Sequence, residues 1–362
     1  MSGVAVDATG MGAVTPVGLS APATCAALRA GVPRMLAFEG WTDDGPDPNP
    51  EFVAGRVPME RLLGAIEEKW PGHERWNLTL PRPHVLIEPG AARLLTLAPP
   101  AAEEAWEQAG RPAGRAGIYL GLDERDSATA VADAVGDRLG KTFDLVRADK
   151  LGRAAGLAAL HRAARHLAEG RVDVALVGGV DSLLRRDAVA RQVGRGVLHH
   201  DKNPAGVIPG EAAAFVVLQP AGMAQPLARL AGSAVAEEPT AGTDSPNQGE
   251  GLTLAVRKAR ERAPRLETWP RIACDLNGDR YRALEWSLAS VRALGDLPEG
   301  PASGPEWLPA EWMGDTGAAS GLVGVIWAVT GVTKGYAGAD RALVWGASDG
   351  PLRAAAILSM ED

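Results

Sequence analysis

Apolar residues fall along this chain in two alternating rhythms. Short uninterrupted apolar runs bounded by Gly, Pro or charge read as strands buried on both faces, and stretches with apolar positions three and four apart read as helices. The first run, from Val4, enters a loop punctuated by Gly10, Gly12, Pro16 and Gly18, after which Ser20 is placed to cap a helix running through Leu28. Residues 33–87 are rich in Pro, Trp and charge, with weak periodicity, and predict an irregular insertion. Helical spacing returns over about 90–110, followed by a strand at Gly117–Gly121 and a helix at about 127–139. A strongly apolar helix is predicted at Leu151–Glu169, a strand at Val172–Gly179, a polar loop at 185–207 and a strand at Gly210–Leu218. After a link at 220–227 come helix 249–262, strand 271–276, helix 281–293, loop 296–311, helix 317–330, strand 341–345 and a last strand near 354–359. Strands alternating with helices predict an α/β sheet protein.

The pattern repeats. Gly152-Arg-Ala-Ala-Gly156-Leu157 recurs as Gly317-Ala-Ala-Ser-Gly321-Leu322, each time opening an apolar helix. The strands that follow also match, Asp173-Val-Ala-Leu-Val-Gly-Gly179 against Asp340-Arg-Ala-Leu-Val-Trp-Gly346. Equal order and nearly equal spacing predict a duplicated unit, with halves at 1–220 and 221–362 and the excursion at 33–87 inside the first. Small residues at the two helix starts would let these helices pack closely.

Composition narrows the function classes. The 362 residues are 46% hydrophobic, enough for a large core, and the formal charge is −8, so no global basic field draws the chain to nucleic acid or anionic lipid. The arginines are scattered among acidic residues, the pattern of a solvated surface. The two cysteines, Cys25 and Cys274, form no CxxC pair and predict neither a disulfide framework nor a zinc site. No leader-like segment and no membrane-length apolar run is visible, which predicts a soluble cytoplasmic protein. Ten Trp against four Phe and three Tyr suit either core filling or an interface.

Several segments resemble the β-ketoacyl synthases of the thiolase-like superfamily. Thr9-Gly-Met-Gly-Ala-Val-Thr-Pro-Val-Gly18 is similar to their N-terminal motif, and Ala91–Gly110 to the helix after their cap region. Arg171–Ser182 resembles the strand and turn after their nucleophile helix, and Pro209–Leu218 their G-E-G-A-A strand. The resemblance is specific in the first half and thinner in the second. It implies a thiolase fold, two α/β halves in a five-layer αβαβα arrangement.

The family's chemistry uses a Cys nucleophile at the start of a buried helix, with two His, or a His and an Asn, for decarboxylation and oxyanion stabilisation. Laid on this sequence, the nucleophile position falls at Arg153, within one residue. The two imidazole positions fall at Asn277, before Gly278, and at Asp315, after Gly314. All six His, at 73, 84, 161, 166, 199 and 200, precede the second half, where both imidazoles belong. The resemblance therefore implies a degenerate condensing site with no catalytic residue, no cofactor and no metal. Arg153 and Asp315 would pair in the old pocket with Asn277 alongside, or Arg153 would point to solvent. Cys25 and Cys274 read as small buried hydrophobes.

Other constellations are weaker. Gly10-x-Gly12 and Gly178-Gly179 fit no dinucleotide or phosphate loop. His199-His200-Asp201 reads as a polar loop rather than a metal site, Asp123–Asp126 as a solvated charge run, and Asp275–Arg280 as an Asx turn. Three functions stay open. The first is a non-catalytic scaffold or chaperone-like accessory, which the resemblance ties to type VI secretion effector loading. The second is a chain-length-factor-like partner of an active ketosynthase, and the third an acyl-transfer enzyme rebuilt around Asp315 or Glu211. The implied partners are a second copy or another thiolase-like chain, with an effector or an acyl carrier protein as further candidates.

Overall fold

A computed structural model describes residues 5–38, 52–58, 61–62, 92–200 and 202–360. Its strands are β1 (Val6–Val14), β2 (Leu36–Phe38), β3 (Phe52–Ala54), β4 (Ala116–Gly121), β5 (Leu145–Asp149), β6 (Val174–Ser182), β7 (Glu211–Pro220), β8 (Ala228–Glu237), β9 (Arg271–Cys274), β10 (Arg341–Ala347) and β11 (Leu352–Ser359). Its helices are α1 (Ala21–Ala30), α2 (Ala92–Gln108), α3 (Ala128–Leu139), α4 (Ala155–Ala168), α5 (Arg186–Gly194), α6 (Glu250–Arg262), α7 (Arg280–Leu294), α8 (Ala310–Met313) and α9 (Ser320–Thr333), the last entered through a tight turn at Gly317–Ala319.

Nine strands join in the order β5-β4-β6-β7-β1-β8-β11-β10-β9. The order is a palindrome of two like halves. The run β1-α2-β4-α3-β5-α4-β6-β7 is repeated as β8-α6-β9-α7, then Trp307, then α9-β10-β11. Trp307 stands where β5 stands in the first half. It keeps one parallel bridge, donating to Ile272 O at 2.8 Å and accepting from Cys274 N at 3.1 Å. The halves meet where β1 and β8 pair antiparallel over Val6–Ala8.

Alternation along each strand sorts the core into layers. In β7, Ala212, Ala214, Val216 and Leu218 face the central core, while Ala213, Phe215 and Val217 face the core under α2 and α3. In β10, Ala342 and Val344 face the centre, and Leu343 and Trp345 face α6 and α7. Helices α4 and α9 touch strands of both halves and form the middle layer. The result is the αβαβα sandwich that the resemblance implied. The middle helices approach closely because small residues let them. A Cβ on Gly156 would sit 2.8 Å from the Ala318 carbonyl oxygen, and one on Gly321 would sit 2.6 Å from Leu157 Cγ.

Some elements depart from the sequence pattern. The polar segment 185–207 holds α5, whose charged sequence RDAVARQVG hid its helical spacing. Strand β8 was missed because Arg229, Gly232 and Ser233 interrupt its apolar run. Strand β5 was missed because Arg147 and Asp149 do the same in a strand at the sheet edge. The arginines are not a solvated set: Arg93, Arg138, Arg153, Arg185, Arg282 and Arg353 are all buried. The sequence shows their number, while the fold brings carboxylates to them from distant segments. Most of the predicted excursion at 33–87 lies outside the described residues, though β2 and β3 within it pair as a short ribbon. Among the described residues no helix is long and apolar enough to cross a membrane.

Candidate functional site

Arg153 stands one residue before the N-cap of α4. Gly152 turns the chain there with φ of +75°, which a glycine adopts without strain. Burial works against the Arg153 charge, but Asp315 and Asp349 outweigh it and hold the guanidinium above its ordinary pKa. Its Nε donates to Asp315 Oδ2 at 2.6 Å, and its Nη1 lies 2.8 Å from Asp349 Oδ1. The N–H of the N-cap residue is already taken: Ala154 N donates to Ser348 Oγ at 3.1 Å.

Asp315 reaches the same place from the other half. Its backbone is pinned beside the start of β7, with its N–H donating to Ile208 O at 2.7 Å and its carbonyl accepting from Gly210 N at 2.8 Å. Its side chain accepts from Arg153, from Asn277 Nδ2 at 2.6 Å and from Gly317 N at 2.9 Å. Asn277 comes from the loop after β9. Its Oδ1 accepts from Asp279 N at 3.1 Å, an Asx turn, and Asp279 in turn caps α7 through Tyr281 N. The structure thus brings Arg153, Asn277 and Asp315 together, and Arg153 points inward.

A cavity of about 350 Å³ lies outside this cluster. Lys150, Arg153, Asp181, Arg191, Arg195 and Asp349 are among its lining residues, whereas Asn277 and Asp315 are not, because Arg153 stands between. Asp349, at the tip of the β10–β11 hairpin, is bridged by three guanidiniums. Its Oδ1 meets Arg153 Nη1 at 2.8 Å and Arg282 Nη2 at 2.7 Å, and its Oδ2 meets Arg195 Nη1 at 2.9 Å. Burial raises its pKa, but Arg153, Arg282 and Arg195 more than reverse this and hold the carboxyl far below the usual range.

On the inner wall Asp181 is buried. Burial pushes its carboxyl up to about 7, against the opposing pull of Arg185 and the Ala318 N–H. The Ala318 N–H donates to it at 2.9 Å. Arg185 also pairs with buried Asp126 at 2.7 Å, and Asp123 pairs with Arg125 at 2.8 Å. The run Asp123–Asp126 is therefore part of an ion-pair cluster at the cavity rim, not a free solvated loop.

The sequence matches the family "Beta-ketoacyl synthase, N-terminal domain" over residues 152–224. Among solved structures, the ketosynthase from module 6 of the bacillaene synthase from Bacillus subtilis 168 is similar. It is 16% identical, with a TM-score of 0.76, over 99% of this chain and 72% of that one. The ishigamide ketosynthase/chain length factor is 19% identical with a TM-score of 0.77, over all of both chains. The chain shares the thiolase-like fold of these ketosynthases. A complex of a type II PKS acyl-carrier protein with its ketosynthase bound to the hexaketide is also similar, at 17% identity and a TM-score of 0.77 over all of both chains. No curated protein matches the sequence.

The other residues singled out from sequence lie apart from the cavity. Glu211 is enclosed. It accepts from Arg93 Nε at 2.7 Å, Val57 N at 2.9 Å and Ser182 Oγ at 3.0 Å, and ties α2 to the sheet. Cys25 is buried with its Sγ 3.3 Å from Thr330 Oγ1, and burial pushes its thiol up to about 11. Cys274 is likewise buried and its thiol raised by desolvation. Such thiols are protonated at neutral pH and are poor nucleophiles. His199 and His200 bond within their own loop, and Asp201 lies outside the described residues. Among the described residues no cluster of His, Cys, Asp or Glu is placed to hold a metal. Asp181, Arg195, Arg282 and Asp349 gave no sequence signal, since each comes from a different element and no linear motif links them.

Proposed function

We propose that this protein is a non-condensing ketosynthase-like subunit that acts by binding another protein rather than by chemistry. The observation that carries the reading is the Arg153–Asp315–Asn277 cluster. A guanidinium, two of whose hydrogen bonds end on carboxylates, fills the space between the cavity and Asp315, and in this reading it stands in place of a nucleophile as a cation that cannot attack. Ser348 on the Ala154 N–H adds support, because that donor at the helix start is no longer free for an oxyanion. In this reading Arg153, Asn277 and Asp315 occupy the positions of the family's nucleophile and imidazoles, and the chain divides into halves at residues 220–221.

The partner in this reading is a second thiolase-fold chain, either another copy or an active ketosynthase. Strand β5 lies at the sheet edge with Val146 and Arg147 exposed, an edge to which another strand can add once the Arg147 guanidinium releases the Val146 carbonyl it holds at 2.7 Å. The test is purification of the tagged full chain from its native host, with the companions identified by mass spectrometry. A ketosynthase, an acyl carrier protein or a homodimer that Val146→Asp dissociates is the expected outcome. A type VI secretion effector or spike component would favour the accessory role instead. A monomer that releases CO2 from a malonyl thioester would overturn the reading.

A further inference from the structure

Asp349 does two things that a purely structural carboxylate need not do. It sits half-exposed at the lip of the cavity, and it is shared by three guanidiniums from three elements: Arg153 before α4, Arg195 after α5 and Arg282 in α7. Each of the three also has a carboxylate of its own. Arg153 has Asp315 at 2.6 Å, Arg195 has Asp279 at 3.0 Å, and Arg282 has Asp275 at 3.1 Å. The guanidiniums are therefore held in place without Asp349. They keep N–H groups converging on one spot beside a cavity of about 350 Å³. Three cations around one small anion is the arrangement by which arginines take a phosphate, one oxygen to each fork.

We propose that this spot is a phosphate-monoester site and that the Asp349 carboxylate stands in it as an internal competitor, leaving for solvent when the ligand enters. The hairpin need not move. Arg353, fully buried and paired with Glu285, holds the hairpin backbone through Nη1 to Ser348 O at 3.0 Å and Gly350 O at 2.6 Å. Only the exposed side chain swings. The rest of the cavity suits a small polar body on the phosphate. Lys150 and Arg191 line it, and so does buried Gln192, whose side-chain oxygen lacks a hydrogen-bond partner. Gln192 is 4% exposed, and a hydroxyl donor on the ligand would satisfy it. The depressed carboxyl of Asp349 supports the same reading, since it reports how strongly that spot favours negative charge.

The proposal does not depend on the partner reading, and the two fail separately. The probes are inorganic phosphate and glycerol 3-phosphate, added to the full chain at constant ionic strength against chloride and read by calorimetry and thermal shift. Saturable binding to the parent is expected. Asp349→Asn, which removes the competitor and keeps the shape, should bind about tenfold more tightly. Arg195→Gln, at the half-exposed rim, should weaken binding at least about tenfold and leave the fold intact. Absence of saturable binding to the parent overturns the proposal. Rescue of Asp349→Asn by phosphate with no binding to the parent also overturns it, because Asp349 is then a permanent counter-ion. Glycerol 3-phosphate binding more tightly than inorganic phosphate assigns the site to an ester, and equal affinity contradicts a role for the polar cavity.

Discussion

Replacing Asp315 with alanine removes the acceptor of three donors at once: Arg153 Nε, Asn277 Nδ2 and Gly317 N. Asp315 is 2% exposed, so water cannot take over. Removing one partner of a buried ion pair costs roughly 3–5 kcal/mol. Asp349 remains on Arg153 at 2.8 Å, which moves the expected loss to the lower part of that range, and the uncapped Gly317 N–H adds about 1 kcal/mol. Unfolding entropy of about 2.1 cal/mol/K per residue amounts to ~0.76 kcal/mol/K for the 362-residue chain. A loss of roughly 3–5 kcal/mol therefore lowers the melting temperature by about 4–7 °C. The assay is differential scanning calorimetry of Asp315→Ala beside the parent. Asp315→Asn keeps an acceptor for Gly317 and should fall between the two. An alanine variant melting within about one degree of the parent would refute the reasoning, since the cluster would then contribute nothing.

Three further outcomes are expected. Arg153→Cys gains no acyl-enzyme with acyl thioesters by intact mass, because Ser348 already holds the Ala154 N–H, Asn277 carries no basic nitrogen and the Asp315 carboxylate stays committed to Asn277 and Gly317. Burial raises the Asp181 carboxyl from its ordinary 3.8 to about 7, so between those values the native state keeps a proton that the unfolded chain has lost, and stability falls as pH rises through that window. The advantage of Asp181→Asn over the parent in urea titrations should therefore grow from pH 5 to pH 8, by on the order of 1–3 kcal/mol, and a constant difference would contradict this. Glu285→Ala strips fully buried Arg353 of its counter-ion at 2.5 Å and should cost roughly 3–5 kcal/mol in denaturant midpoints, against less than about 0.5 kcal/mol for Arg165→Ala in an exposed helical pair.

The sequence carried the architecture further than the site. Strands such as β6 and β10 sit between two apolar layers, so nearly every position is apolar and each run is conspicuous. The repeat beginning at Gly152 and Gly317 was legible because close packing of α4 and α9 requires small residues at equal places in both halves. Strand β5 was hidden because it lies at the sheet edge and carries charge outward. The cluster of Arg153, Asn277 and Asp315 was reachable only through the family resemblance, since 162 residues separate the arginine from its carboxylate. Asp349 and its three guanidiniums were not reachable at all. Their meeting depends on how one hairpin and three helix ends are aimed, and a chain of scattered Arg and Asp residues reads as solvated surface until the fold closes.

The central claim is that the pocket is occupied by an ion pair and performs no condensation. The most direct measurement is CO2 release from malonyl-CoA and malonyl-carrier protein by the full chain at substrate saturation, with and without an acyl donor. The account predicts a rate equal to that of buffer with no acyl-protein adduct by mass. Release above buffer that is lost in Asp315→Asn, with that variant still folded, would contradict it and make the cluster a rebuilt active site.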